Sequence, residues 1–391
     1  MSTQTIVSPL HDQHEQNEAL FLPYGDDTMA CAVVESFGSI ELEYAAIRKG
    51  CVVFDENHMG TLEIRGDDRI EFLNNMLSAK IDDLSSGQSR WSFWLNRKGR
   101  IDADLFLSET PEALFVRVDR HLARKSSDSL DAFLFAEDVQ ISDVSEQFHR
   151  FSLHGPTAQQ LLNKALECEV DLKQGQNTTI RVGQYEIIVE RDDLCGEIGL
   201  GLIIPASAAA EVYTQLQQCC TTAPELRARA GGWLAINAAR IEAGRVLFNL
   251  DFGQSNLPVE SGIIDARVHF AKGCYLGQEV VARMHARGAF ARRVVAFRVD
   301  QERASESLED MLQPTTGSQI FADQSDDESA IGMVTSSTIS PMLGAVPIGF
   351  AMVKSGFVEP GTRLRIAAEG GTVEGIVQDG LVFWSRAGIE R

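Results

Sequence analysis

The chain has 391 residues, 44% of them hydrophobic, enough to fill two or three cores and too long for one. Its formal net charge of −21 excludes a general nucleic-acid-coating surface and attraction to anionic membranes, both of which need a basic face. Seven irregularly spaced cysteines without a C-x-x-C pair fit a reducing compartment and argue against a self-contained zinc or iron-sulphur site, so no metal ligands are expected.

In chain order, residues 1–20 are polar, lack a basic start followed by an apolar run, and read as a solvated, disordered tail that carries His11 and His14. No run of about 18 apolar residues follows, so a cytoplasmic protein without a membrane partner is expected. Residues 39–48 read as a helix, 52–55 and 61–64 as strands, and Asp67 as the cap of a helix over 68–76. Residues 88–95 and 101–107 alternate apolar and polar positions around the Asn96–Arg100 turn, which predicts a hairpin. Its Trp91 and Trp94 are either core or platforms for a flat ring.

A strand over 114–118, a helix over 121–134, a strand over 148–153 and a helix over 159–166 capped by Thr157 continue the pattern. Strands over 180–190 and 199–204 and helices over 206–219 and 231–243 follow, an irregular alternation that argues for α+β over a doubly wound parallel sheet. From Arg292 onward helical periodicity gives way to short strands, over 294–299, 331–337, 346–353, 362–367 and 372–378. They predict a small β-barrel or sandwich over 289–391, with an acidic loop at 301–328 (Glu306, Glu309, Asp310, Asp323, Asp326, Asp327 and Glu328).

The richest stretch chemically is Lys272-Gly273-Cys274-Tyr275-Leu276-Gly277-Gln278-Glu279. Two glycines allow a tight backbone around Cys274, and residues 278–287 read as a helix. A thiol just upstream of a helix start and next to a lysine is expected to ionise one or two units below the free value of about 8.5, though buried free cysteines of no chemical use are common. Arg267, Lys272, Arg283, Arg287, Arg292 and Arg293 make a basic island that is either a solvated face or an anion site. Phosphate-loop, H-E-x-x-H and G-x-S-x-G patterns are absent.

This K-G-C-Y-x-G-Q-E stretch resembles the signature of YgfZ-type folate-binding proteins, relatives of the glycine-cleavage T-protein. Arg240-Ile241-Glu242-Ala243-Gly244, Pro258-Val259-Glu260-Ser261-Gly262 and Gly332-Met333-Val334-Thr335-Ser336 resemble further blocks of that superfamily, and weaker similarity runs through nearly the whole chain. The resemblance implies a three-lobed α+β fold, with a folate-binding region over 21–288 and a carboxy-terminal β-barrel. It also implies a tetrahydrofolate-type cofactor, held by Arg240, Glu260, Gly273, Tyr275, Gly277, Gln278 and Glu279. Cys274 and Lys272 would be the reactive pair, folate's glutamate tail would lie on the basic island, and iron-sulphur enzymes would be clients.

Three positions depart from the T-protein pattern. Lys80 stands where the T-protein has its catalytic aspartate, Gly201 where it has the carboxylate that holds the pterin, and Ile236 where it has a folate-contacting arginine. A lysine cannot take up a proton as a carboxylate does, which argues against aminomethyl transfer unless Asp82 or Asp83 substitutes. The alternatives are a tetrahydrofolate-dependent aminomethyl- or methyltransferase and a non-catalytic interaction or tRNA-modification accessory.

Overall fold

In the computed structural model, which describes residues 4–26, 29–300, 312–323 and 329–386, the alternating runs form three open sheets and one closed barrel. Among the described residues the helices are α1 (His11–Gln16), α2 (Ile40–Lys49), α3 (Arg69–Met76), α4 (Arg120–Asp131), α5 (Ala158–Ala165), α6 (Ala209–Thr222), α7 (Trp233–Glu242) and α8 (Gln278–Arg287). The chain divides into two compact units, residues 1–94, 103–236 and 271–275 in one and 95–102, 237–270 and 276–391 in the other. Residues 237–270 and 276–288 thus group with the barrel and not with the region that precedes them.

In the first unit a six-stranded sheet runs in the order Asn177–Val182, Tyr185–Arg191, Gly199–Pro205, Phe148–His154, Cys51–Asp55, Ala228–Ala230. Side chains alternate across a strand, so one face collects Val53, Phe151, Leu153, Val189 and Leu202 against Leu161, Leu162, Val212 and Leu216 from α5 and α6. Burying each such side chain contributes roughly 1.5–3 kcal/mol. On the opposite face Phe54, Ser152, Gly201 and Glu190 lie side by side in register. The second sheet has the order Ser89–Leu95, Ile101–Glu109, Leu114–Asp119, Met59–Arg65, Gln140–Asp143, and its first two strands are the expected hairpin.

The amino-terminal segment is ordered where a solvated tail was expected. Gln4–Ile6 pairs in parallel with Met29–Cys31, and α1 buries His14 while the residue before it, Leu10, is also inside. Leu10 joins the core beneath α5 and α6, and a buried carboxylate holds the polar residues of the segment. Ser8 Oγ donates to Asp55 Oδ2 at 2.5 Å, and His14 Nε2 and His149 Nε2 lie 2.8 Å from Oδ2 and Oδ1. Those partners are too far apart in sequence for composition to reveal them.

Smaller differences have local causes. The cap of α3 is Asp68, one residue later than Asp67. Helix α4 starts at Arg120 because the Asp119 carboxylate accepts from His121 N at 2.9 Å. The stretch 180–190 is two strands, Asn177–Val182 and Tyr185–Arg191, since Gly183 takes φ +59° and turns the chain.

In the second unit six antiparallel strands close the barrel around Phe297, Ile320, Val334, Ala351, Leu364 and Ile366. Five strands fall where expected; the sixth, Gln319–Ala322, comes from inside the stretch read as an acidic loop. Glu306, Glu309, Asp310, Asp326, Asp327 and Glu328 lie outside the described residues.

Candidate functional site

Helix α8 begins at Gln278, as its periodicity predicts, and Gly277 is its N-cap at φ +80°. A Cβ at 277 would stand 2.6 Å from the Asn96 carbonyl oxygen, so only glycine lets this turn lie against the Asn96–Gly99 turn. Gly273 has nothing within 4 Å of its Cβ position, so close approach is required at one glycine of the pair and not at both. Tyr275 is buried, which pushes its phenol up to about 12, while Gln278 is half-buried and Glu279 exposed.

Lys272 does not serve the thiol in the way its spacing suggested. Its ammonium donates to three carbonyl oxygens, of Asn74 at 2.6 Å, Leu77 at 2.7 Å and Ala79 at 2.6 Å. Leu77 is the C-cap of α3, so the cation sits where the helix dipole is negative and the last carbonyls lack partners. Burial lowers its pKa to about 8, partly offset by Asp82. Lys272 therefore fastens the loop to the α3 exit, and the segment it fastens to leads directly into Lys80. Lys80 lies 3.5 Å from Asp82 and 4.0 Å from Asp83, so it is a paired, partly exposed cation.

Cys274 is exposed, and it stands three positions before the helix cap. Cys31, Cys51, Cys195 and Cys219 are buried and Cys168 and Cys220 half-buried. Burial pushes the Cys31 thiol up to about 11 and Cys220 to about 12, and raises Cys51, Cys168 and Cys219. Accessibility alone separates Cys274 from the other six.

Arg240 and Glu260, expected to face a ligand, are engaged with the protein. Arg240 is 1% exposed and donates to Asp251 Oδ2 at 2.5 Å, Asn237 Oδ1 at 2.9 Å, the Arg245 carbonyl at 3.0 Å and Ser336 Oγ at 2.6 Å. It ties α7 to the barrel strand Gly332–Ser340. Glu260 accepts from Asn256 Nδ2 at 3.0 Å and Leu257 N at 3.1 Å, closing its own turn. Glu242 accepts from Ser340 Oγ and from Met342 N at 3.3 Å. In the basic island Arg267 is buried, Arg293 lies 5.0 Å over the Phe290 ring, and Arg283, Arg287 and Arg292 are exposed.

Between the six-stranded and five-stranded sheets of the first unit lies a buried charge network that periodicity did not reveal. Arg117 donates to Asp192 Oδ2 at 2.5 Å and stands 3.6 Å from Glu190 Oε1. Arg150 donates to the same Glu190 oxygen, and Ser108 Oγ donates to the other at 2.8 Å. Burial works against the charge on Arg117, but Asp192, Glu190 and Glu56 outweigh it and hold the proton firmly. Burial opposes ionisation of Glu56 too, yet Arg117 and Arg150 hold it below the usual carboxylate range.

The network bears on the missing carboxylate at position 201. A Cβ built on Gly201 would come within 3.0 Å of Glu190 Cγ and 3.1 Å of its Oε1. Glu190, on the neighbouring strand, fills the space beside position 201. Of the two tryptophans, Trp94 is core, donating to Ser129 Oγ at 2.9 Å, while Trp91 lines this network with its ring 5.0 Å from the Arg117 guanidinium carbon. Aromatic and carboxylate groups are therefore gathered around Arg117. Charged residues inside the apolar strand runs, Arg117 in Leu114–Asp119, Arg150 in Phe148–His154 and Glu190 in Tyr185–Arg191, were the signal that could have found them, because a charge buried in a strand needs a partner.

Comparison with known proteins adds the following. Residues 10–272 match the family described as the GCVT N-terminal domain, and residues 292–383 match the glycine cleavage T-protein C-terminal barrel domain. The chain is 27% identical over 376 residues to the mitochondrial aminomethyltransferase of Flaveria trinervia, covering 94% of this chain and 87% of that protein. It is 24% identical over 364 residues to the aminomethyltransferase of Thermoanaerobacter pseudethanolicus, covering 92% of each. The crystal structure of glycine cleavage system aminomethyltransferase T from Bartonella henselae superposes with a TM-score of 0.83 at 21% identity, over 97% of this chain and 98% of that one, which shows a shared fold.

Proposed function

From the premise that the chain belongs to the glycine-cleavage T-protein family, we propose that it binds a tetrahydrofolate-type cofactor and acts as a YgfZ-type protein that supports iron-sulphur enzymes, with Cys274 as its reactive group. The observation that carries this reading is the pairing of an exposed Cys274 with a loop that Lys272 fastens beside Lys80. When bound, a reduced folate supplies a nitrogen that carries a one-carbon unit. Trp91, Glu190 and Asp192 have the chemistry to hold its ring edge. Arg283, Arg287 and Arg292 are exposed cations that attract anions such as a glutamate tail. Lys80 offers no carboxylate to take up a proton or to balance a developing cation, so aminomethyl transfer lacks its central group.

Two measurements on the purified chain test this. Calorimetry with tetrahydrofolate at two ionic strengths is expected to show weak binding that salt weakens further, because the tail contacts are exposed. A glycine-cleavage assay with reduced folate is expected to show no turnover. A second reading, tetrahydrofolate-dependent aminomethyl transfer, is favoured by relatives named aminomethyltransferase that align along nearly the whole chain. It predicts robust turnover lost on Asp82→Asn or Asp83→Asn, and that result would replace the first reading.

A further inference from the structure

The Arg117 guanidinium carbon lies 5.0 Å from the Trp91 ring centroid and 4.8 Å from that of Phe106, two rings that are themselves 4.9 Å apart. Its NH groups face Asp192 and Glu190. Flat aromatic walls with carboxylates at the edge select a planar group that presents N–H donors in its own plane. A guanidinium meets that description. So does the 2-amino-4-oxopyrimidine edge of a pterin, which offers an adjacent ring N–H and exocyclic amine to a carboxylate.

We infer that Arg117 is the built-in occupant of a ring-binding cradle formed by Trp91, Phe106, Glu190 and Asp192, and that a ligand ring takes this place only by displacing it. Further polar atoms around the network lack hydrogen-bond partners. Glu56 Oε2, Ser152 Oγ and both ring nitrogens of His154 are buried without a hydrogen-bond partner, on residues 4%, 1% and 2% exposed. His154 is neutral, because burial holds its imidazole down at about 4, so it offers one donor and one acceptor. Glu56, Glu190 and Asp192 share the Arg117 and Arg150 guanidinium groups. Unpaired buried polar atoms are costly, and a fused ring rich in nitrogen and oxygen reaches more of them than one side-chain fork does.

The folate reading supplies only the identity of the ring; the preference for a guanidine-like group stands on the contacts alone. Arg117 then acts as a specificity device that weakens ring recognition and leaves the anionic tail to dominate affinity.

The test compares the full chain with Arg117→Ala and Arg117→Lys, the second keeping a cation but not the planar fork. Methylguanidinium and methylammonium are added at constant ionic strength while thermal stability is followed, and free 2-amino-4-oxopteridine is titrated by calorimetry. Methylguanidinium, and not methylammonium, is expected to raise the Tm of Arg117→Ala and to leave the unaltered chain unmoved. The free ring is expected to bind both variants at least about tenfold more tightly than the unaltered chain. Equal effects of the two cations on Arg117→Ala, or a folded Arg117→Lys that binds the ring no better than the unaltered chain, would overturn the inference. An unaltered chain that ignores tetrahydrofolate while the variants take up the ring would sink the folate reading and support the cradle.

Discussion

Lys272→Met separates an anchoring lysine from one that activates the neighbouring thiol. The substitution keeps most of the apolar stem and removes three hydrogen bonds of 2.6–2.7 Å from carbonyls at the end of α3. Charge-assisted bonds are worth about 1.5–3 kcal/mol each when buried, and a cation at a helix C-terminus about 0.3–1 kcal/mol. The ammonium is half-buried, so solvent replaces part of what is lost, and a net cost of about 2 kcal/mol is expected. The assay is urea unfolding of the first unit, with hydrogen exchange of the amides of residues 77–83 as the local reporter. Lys272 ionises at about 8 in the folded chain against an ordinary 10.5, so the unfolded state holds more protons between those values and stability rises with pH there. The gap between the chain and Lys272→Met should therefore widen from pH 8 to 10.5. The rate at which iodoacetamide modifies Cys274 should change less than about threefold, since the ammonium is directed at carbonyls and not at sulphur. Unchanged stability together with a fall of about tenfold or more in that rate would refute the anchoring role.

Asp55→Asn removes the buried charge and puts an N–H donor in place of one of the two oxygens that serve His14, His149 and Ser8, and it should cost about 3 kcal/mol by urea unfolding. Burial opposes ionisation of Asp55, but His149 and His14 hold its pKa below the usual range, so its contribution is present above about pH 4 and is lost as pH falls further. A shared loss of stability with acid in the chain and in Asp55→Asn would contradict this. Arg240→Ala should destabilise the second unit by about 3 kcal/mol or more, because it strands buried Asp251. If Arg240→Lys keeps stability within about 1 kcal/mol yet abolishes folate binding, Arg240 faces the ligand after all. Gly201→Glu should cost several kcal/mol by crowding a second carboxylate onto Glu190, and Glu190→Ala should relieve part of that cost in the double variant. Additive effects of the two would show that Glu190 does not fill the space beside position 201.

Local pattern was enough for α8, whose limits are those of its apolar spacing, and for the Asn96–Arg100 hairpin, whose turn chemistry is explicit. The six-strand barrel was legible apart from Gln319–Ala322, a four-residue strand set among acidic and serine residues too short to show alternation. Long-range polar pairing was not legible. Asp55 meets His14 and His149 across 41 and 94 residues, and Glu190 meets Arg150 across 40, distances at which no periodicity operates. For the same reason Lys272 and Arg240 read as ligand-facing cations, when their partners are backbone carbonyls 193–198 residues earlier and a carboxylate 11 residues later. The signature loop disclosed the accessible thiol, Cys274, but not that its lysine is turned away from it.

The proposed role of Cys274 is tested in cells that lack this protein. Cys274→Ala and Cys274→Ser should fold, since the loop is held by Lys272 and by the close fit of Gly277, and neither contact involves sulphur. Iron-sulphur enzyme activity is measured with each variant expressed at the level of the unaltered chain. Neither variant is expected to restore it, and in the unaltered chain Cys274 is expected to be alkylated before the other six cysteines. Full restoration by both variants would contradict the account and make the thiol a bystander.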